Sequence, residues 1–599
     1  MRQIRFLDMV CTTSFLFISV WFGAEAQDNP PIANSTVEQV RAIAADKAKL
    51  TVAQKKLSTD LRNAIKVDAG KPLVQGVPNL LAEEILTPDE QPKGKVAVNI
   101  KGKITPEIQS FVQKQGGIIT ATLPDQMSAI ISLSKIESIA NRREVKHIDE
   151  SPTPLTNANT TLLPNTEGDI AHAATTARSR FDADGSGVKV CVLSDSVDGL
   201  GQAQKDGSLG AVEVLQGQQG RGRGEGTAIL EIIHRIAPGA TLAFATGSAG
   251  DISMAVNIGA LADAGCTIIV DDITYSNESP FQDGVIARKI NDISSRGILY
   301  FSSAANSGNK LHNQSGTWEG DFRPLSAQPI TIRGKTWYAH AFTPGQYKNT
   351  VTAVGPTKVA ALFWNDPLSK ATNEYDLYIL DSAGNVVTYS DNDITGSEDP
   401  FQKAAIDVGQ SILILQRPGA KARFLHLDTF RGRIEISTSG STRGHNASGA
   451  ENAFSIASIS ARGRTQPFVG GLGVHVDDYS SDGPRRIFFA ADGSTITPSD
   501  MTQTGGRLLQ KPDLTAADCV TTDVINFGSF CGTSAAAPQA AAIAALLKSK
   551  YQALSPSQIR RILSSTSLSI EAVNGWNSAA GFGIVMAEAA LAAAGNVAN

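Results

Sequence analysis

The 599-residue chain is short of cysteine, with 5, of methionine, with 6, and of histidine, with 8. It has no Cys-x-x-Cys pair and no His-Glu-x-x-His helix, and its histidines are scattered, so the sequence offers no metal site. No cofactor is expected, with structural calcium left open. Charge of one sign is also lacking. A net charge of −5 provides no basic face for nucleic acid or an anionic membrane, and no nucleic-acid-reading motif occurs. Beyond the first 26 residues no apolar run is long enough to span a bilayer.

A hydrophobic share of 42%, 19% charged residues and 54 glycines describe a globular chain with many turns. Its length calls for several domains. Residues 1–26 stand apart: Arg2 and Arg5 precede the apolar run Met9–Phe22, and Ala24-Glu25-Ala26 offers small residues for cleavage. This reads as a signal peptide for a secreted protein, extracellular or periplasmic, with an uncleaved anchor as the alternative. Export permits disulfides. Cys519 and Cys531 flank a short loop and are the expected bridge, while Cys191 and Cys266, in or beside apolar runs, read as buried thiols.

Residues 27–68 are polar with a helical charge pattern, and 69–94 carry the prolines and glycines of a linker. Residues 96–150 alternate as a small βαββαβ unit, followed by a Thr/Asn/Pro-rich linker over 153–164. From residue 166 short apolar strands alternate with helices, as in a parallel α/β sheet. Residues 315–440 break this rhythm with strand-like runs between Gly, Asn, Asp and Pro turns, and read as an inserted β-sandwich. The α/β pattern returns over 441–599.

Gly532-Thr533-Ser534-Ala535-Ala536-Ala537-Pro538 sets a serine in a glycine-led turn ahead of an alanine-rich helix. A helix start offers unpaired N–H groups and the positive end of a dipole, and Pro538 suits a first helical turn. A serine hydroxyl placed there becomes a nucleophile only with a base and an oxyanion donor.

Motifs in order along the chain resemble the subtilisin-like serine proteases. Val190–Ser196 is similar to that family's first strand with its catalytic aspartate, here Asp195. Ser303-Ala304-Ala305-Asn306-Ser307-Gly308 resembles the turn of the oxyanion-hole asparagine, Asn306. Tyr479–Pro484 and Lys511-Pro512-Asp513 are landmarks before the nucleophile motif at Ser534, and Gly581–Val585 resembles the closing segment. The resemblance implies an α/β fold, a subtilisin-like parallel sheet flanked by helices, with an N-terminal α+β prodomain at 96–150 inside a propeptide over 27–155. The catalytic domain then comprises 166–314 and 441–599 around the insert. Maturation is expected between residues 150 and 166, and the prodomain is expected to inhibit the enzyme until removed.

One family feature is missing. Where the family carries a His-Gly-Thr helix start, this chain reads Gly224-Glu225-Gly226-Thr227. His234, nine residues on, lies about 13 Å further along the helix and cannot substitute. Glu231 also misses that face. Glu225 could act as base if a second carboxylate raised its pKa. Asp195 is one expected partner. Strand alternation turns only one of Asp271 and Asp272 toward the cleft, and Asp272 is the favoured one.

This arrangement partly resembles the sedolisin peptidases, which pair a serine with a glutamate and an aspartate, but Ile229 stands where they carry a further acid. The expectation is a secreted serine endopeptidase with Ser534 as nucleophile, Glu225 as base, Asp195 and Asp272 as carboxylate partners and Asn306 in the oxyanion hole. Its partners would be protein or peptide substrates and its own prodomain, and its activity would peak below neutral pH. Arg221 and Arg223, should they fold over the site, would oppose the carboxylate pair. An acidic edge near Asp271 and Asp272 hints at tolerance for basic side chains. The competing reading is a pseudoprotease that keeps the fold for binding or scaffolding.

Overall fold

Seven short apolar strands build an all-parallel sheet in the order Val212–Val214, Thr241–Thr246, Lys189–Ser194, Ile268–Asp271, Leu299–Ser303, Phe454–Ser460 and Leu514–Asp518. Alternation along each strand serves two cores. Val190 and Val192 face a layer containing helices Glu225–Ile236 and Thr533–Lys550, whereas Cys191 and Leu193 face helices Asp251–Asp263 and Val285–Ser295. This is the subtilisin-like α/β architecture expected from the sequence. The computed structural model describes residues 31–77, 79–81, 94–156, 159–160, 167–442, 450–571 and 574–598. The segment read as a signal, 1–26, lies outside the described residues, as does part of the stretch expected to hold the maturation site.

Between Leu299–Ser303 and Phe454–Ser460 the chain builds a second structure. Thr317–Asp321, Phe424–Asp428, Val359–Trp364 and Phe401–Ala405 form one antiparallel sheet, and Tyr375–Leu380, Ser411–Gln416 and Lys335–Ala339 belong to another. Leu362, Trp364 and Leu427 of the first sheet share a core with Leu377, Ile379, Ile412 and Ile414 of the second. That is sandwich packing.

Residues 95–150 form a four-stranded antiparallel sheet, order Ile118–Thr122, Gln126–Ser132, Lys95–Gly102, Val145–Glu150, with helices Pro106–Lys114 and Leu133–Ala140. The Asn99 amide donates to Asp251 at the start of helix Asp251–Asp263, at 2.9 Å. The polar N-terminal region also has an apolar stripe. Helix Asn34–Lys47 buries Val40 and Ile43 against Tyr378, Leu380, Leu413 and Leu415 of the sandwich. Ion pairs Lys47–Glu374 at 2.9 Å and Arg62–Asp391 at 2.6 Å fix the same contact.

The cysteines correct one expectation. Cys519 and Cys531 are bonded as expected, but Cys191 and Cys266, read as separate thiols, are also bonded, with Cα atoms 5.9 Å apart. Cys266 sits at the turn into strand Ile268–Asp271, which pairs in parallel with the strand carrying Cys191. Sheet register brings together two residues separated by 75 in sequence.

Candidate active site

The nucleophile helix begins at Thr533 and runs to Lys550, with every side chain from Thr533 to Leu547 buried. Gly532 leads it with φ 103°, a backbone open to glycine. Pro538 therefore lies in the second turn, not the first. Having no N–H, it leaves the Ser534 carbonyl without its helical donor. Behind the turn, Asp518 accepts the Gly532 N–H at 2.6 Å and the Tyr479 hydroxyl. Burial, then the Asp477 charge, pushes the Asp518 carboxyl well above the ordinary carboxylate range. This buried pair was not read from the sequence. Asp518 stands at the end of strand Leu514–Asp518, where a cleft-facing acid occurs in a parallel sheet.

The Ser534 hydroxyl donates to Asp272 Oδ2 at 2.9 Å. Asp272 follows strand Ile268–Asp271, in which Ile268 and Val270 face the layer of the nucleophile helix. Alternation thus turns Asp272 to the serine and Asp271 away. Asp271 instead accepts from the Ser302 hydroxyl at 2.9 Å and the Ile273 N–H at 3.2 Å, and burial pushes its carboxyl up to about 7. Both side chains are 0% exposed. The acidic edge expected to attract basic substrates is therefore an internal structure, not a surface.

Glu225 opens helix Glu225–Ile236 behind Gly224, whose φ is 84°. Its side chain is buried and forms a hydrogen bond with the Asp272 carboxyl. Burial, followed by the Asp272 charge, that hydrogen bond and the Asp195 charge, raises Glu225 well above the ordinary value, against a donated bond from Thr156. Asp272 is pushed up to about 6, chiefly by burial, and the hydrogen bond from Glu225 pulls it back. The two carboxyls therefore share a proton that resides on Glu225. The expected order changes: Asp272, not Glu225, accepts from the serine.

Asp195 occupies a different place from the one expected. Its Oδ1 accepts the N–H groups of Glu225 at 2.9 Å and Gly226 at 3.3 Å, and its Oδ2 accepts Arg223 N–H at 2.6 Å. It caps the helix start that carries Glu225, and it acts on the carboxyl pair as a neighbouring charge. Glu231 is committed elsewhere, its Oε2 accepting Asp523 N–H at 2.8 Å. Arg223 lies over the Phe527 ring at 5.8 Å.

Asn306 Oδ1 accepts from Thr533 N–H at 3.1 Å and from the Thr533 hydroxyl at 2.9 Å. This fixes the amide beside the helix start. The turn is further tied by Ser307 N–H donating to Ser481 Oγ at 2.9 Å. Away from this site, His312, His475 and Glu571 bring ligand atoms within 4.8 Å of one another, which the scattered histidines did not suggest. There His475 Nδ1 and Glu571 are already hydrogen-bonded at 2.7 Å.

Two described pieces of the linker after the small N-terminal sheet pair with strands next to site residues. Pro154–Thr156 pairs antiparallel with Ile273–Tyr275, directly after Asp272. Asn159–Thr160 pairs antiparallel with Phe530–Cys531, directly before the nucleophile turn. An arginine missed by sequence reasoning, Arg431 of the sandwich, donates from Nη2 to the Thr156 carbonyl. Nothing local to residue 431 signals this.

No curated protein matches the chain. The CspB protease of Clostridium perfringens superimposes with a TM-score of 0.46 at 12% identity, covering 72% of this chain and 98% of that one. Fervidolysin from Fervidobacterium pennivorans, a keratinolytic enzyme related to subtilisin, gives 0.40 at 13%, covering 84% and 62%. The family model described as Peptidase_S8, Subtilase family, matches residues 207–583, well over half of the sequence, and the chain belongs to the subtilase family.

Proposed function

We propose that this subtilase is an exported serine endopeptidase, made as a precursor that cleaves its own linker and using a carboxyl pair where the family uses histidine. The hydrogen bond from Ser534 to Asp272, with Glu225 behind it, carries the reading. Asp272 takes the hydroxyl proton as Ser534 Oγ bonds to the scissile carbonyl carbon. The oxyanion lies between the Asn306 side-chain amide and the Ser534 backbone N–H. Asp272 then returns the proton to the leaving amine as the C–N bond breaks, and water releases the acyl group by the reverse path. Glu225, protonated, donates to Asp272 and makes its anion affordable in a buried site.

The strands at Pro154–Thr156 and Asn159–Thr160 support self-cleavage, because an extended segment added to strand edges on both sides of a serine lies as a peptide substrate would. The scissile bond then falls between Thr156 and Asn159, and the sheet over 95–150 remains seated as inhibitor until it dissociates. Two disulfides agree with an oxidising compartment.

The test is the intact mass of purified wild type and Ser534→Ala after incubation from pH 4 to pH 8. Loss of an N-terminal piece ending at 156–158 from wild type alone, with processing that rises through about pH 6 as Asp272 ionises, is the expected result. If both proteins stay full length at every pH while folded, the pseudoprotease reading replaces this one.

A further inference from the structure

Arg431 belongs to the inserted sandwich, in the turn between Phe424–Asp428 and Arg433–Ile434. Its guanidinium nevertheless reaches the catalytic cleft and donates to the Thr156 carbonyl. The turn that delivers it is held from several sides. Asp428 Oδ1 accepts Phe430 N–H at 2.7 Å, the Thr429 hydroxyl donates to the Gly316 carbonyl at 2.9 Å, and Gly432 N–H donates to the Thr429 carbonyl at 3.0 Å. Phe430 and Arg431 both hold positive φ, 45° and 72°. L residues adopt that conformation in succession only where their surroundings impose it. Gly355 packs so closely that an added Cβ would lie 1.9 Å from the Phe430 carbonyl oxygen.

The ring of Phe430 makes a second connection. It is buried in a cluster with Phe363 and Phe424 of the sandwich and with Phe281 and Phe488 of the parallel-sheet domain. The linker residue packed against that cluster is Leu155, immediately before Thr156. One turn of the insert thus addresses both the main chain and a side chain of the segment lying beside Ser534. Glu225 and Asp272 also face Arg431 and favour its charged form against burial.

We propose that the inserted sandwich completes the substrate cleft, with Arg431 holding the carbonyl at the position of Thr156 and the phenylalanine cluster around Phe430 receiving the apolar side chain one residue earlier. The ligand is an extended peptide with a leucine-like residue where Leu155 lies. Arg431 is a positioning residue, and the insert is a specificity element. The inference rests on the peptidase reading for its consequence, but its binding geometry can be measured without turnover.

The experiment uses full-length Ser534→Ala protein and hydrogen exchange of the linker amides of Leu155 and Thr156. Adding Arg431→Gln is expected to speed their exchange by about tenfold or more, the loss of a charge-assisted hydrogen bond. Exchange in Lys95–Gly102 and Tyr375–Leu380 should stay unchanged. Leu155→Ser, which leaves the sandwich intact, should speed the same amides if Arg431→Gln disturbs folding.

In processed enzyme, peptides with leucine in place of serine at that position are expected to be cut with about tenfold or higher kcat/KM. Arg431→Gln should raise KM more than it lowers kcat, and Arg431→Lys should recover part of the loss. Unchanged exchange in both Arg431→Gln and Leu155→Ser would overturn the inference. If exchange responds while wild type never cleaves, the subsite stands and the peptidase reading falls.

Discussion

Replacing Asp272 by asparagine removes the group that accepts from Ser534 while keeping its size, and two consequences follow from its surroundings. Asp272 is pushed up to about 6 from 3.8, chiefly by burial and also by the Asp195 charge, against the hydrogen bonds from Glu225, Ser194 and Ser534. A rise of about two units corresponds to about 3 kcal/mol favouring the protonated form in the folded protein. For a carboxyl raised in this way, the stabilising contribution is complete below the unfolded value, near pH 4, and is lost as pH climbs through about 6. The asparagine variant has no such titration. In a Ser534→Ala background, which prevents self-cleavage, it should therefore lose less stability between pH 4 and pH 7 than its parent, by about 3 kcal/mol. Chemical unfolding at a series of pH values reads this difference. With Ser534 present, the same substitution should slow linker cleavage by about 100-fold to 10,000-fold, the scale of a missing general base. Parallel pH–stability curves, or a variant that processes at the wild-type rate, would refute the assignment of Asp272.

Two further outcomes test the remaining parts of the structure. Asn306→Ala should lower the acylation rate by about 100-fold to 1,000-fold, the scale of one lost oxyanion donor, in single-turnover cleavage of the linker. An unchanged rate would remove Asn306 from the site. Mass mapping under non-reducing conditions should find Cys191 joined to Cys266, and a Cys191→Ser, Cys266→Ser variant should unfold at lower denaturant. The 75-residue separation corresponds to about 4–5 kcal/mol in the chain-entropy description of a cross-link.

The parallel sheet was legible because burial on both faces leaves a plain signal: short apolar strands with helices between them. Helix Glu225–Ile236 has clear sequence bounds, since Gly224 and an apolar periodicity define it. Individual sandwich strands are harder to read, because Thr317–Asp321, Lys335–Ala339 and Phe401–Ala405 carry charged or small residues among their buried ones. Edge positions and half-solvated faces allow this, and it blurs the period of two. Alternation was enough to separate Asp272 from Asp271. It could not show that Asp195 would cap the helix of Glu225, because capping depends on where Gly222–Gly226 folds in space. The Cys191–Cys266 bond was hidden by distance in sequence, 75 residues, and only the sheet register brings the two together.

The absent histidine and the inserted domain are connected through the same few ångströms of cleft. A buried carboxyl pair has a cost that an imidazole does not, since one member must carry a negative charge without water. Glu225 lowers that cost by holding the proton and donating to Asp272, and Asp195, whose charge acts on both, is already occupied by the backbone N–H groups of the helix start. Arg431 is the cation that faces this pair, and it comes from the sandwich, not from the catalytic sheet. Removing its charge would make Asp272 and Glu225 harder to ionise, so the rise of activity with pH should move upward in Arg431→Gln. The groups facing the pair include Asp195, Asp271, Arg431 and the hydroxyls of Thr156, Ser194 and Ser534. The arginine of the insert and the carboxyl pair interact electrostatically, so losing the arginine's charge is expected to move the pH at which the pair ionises.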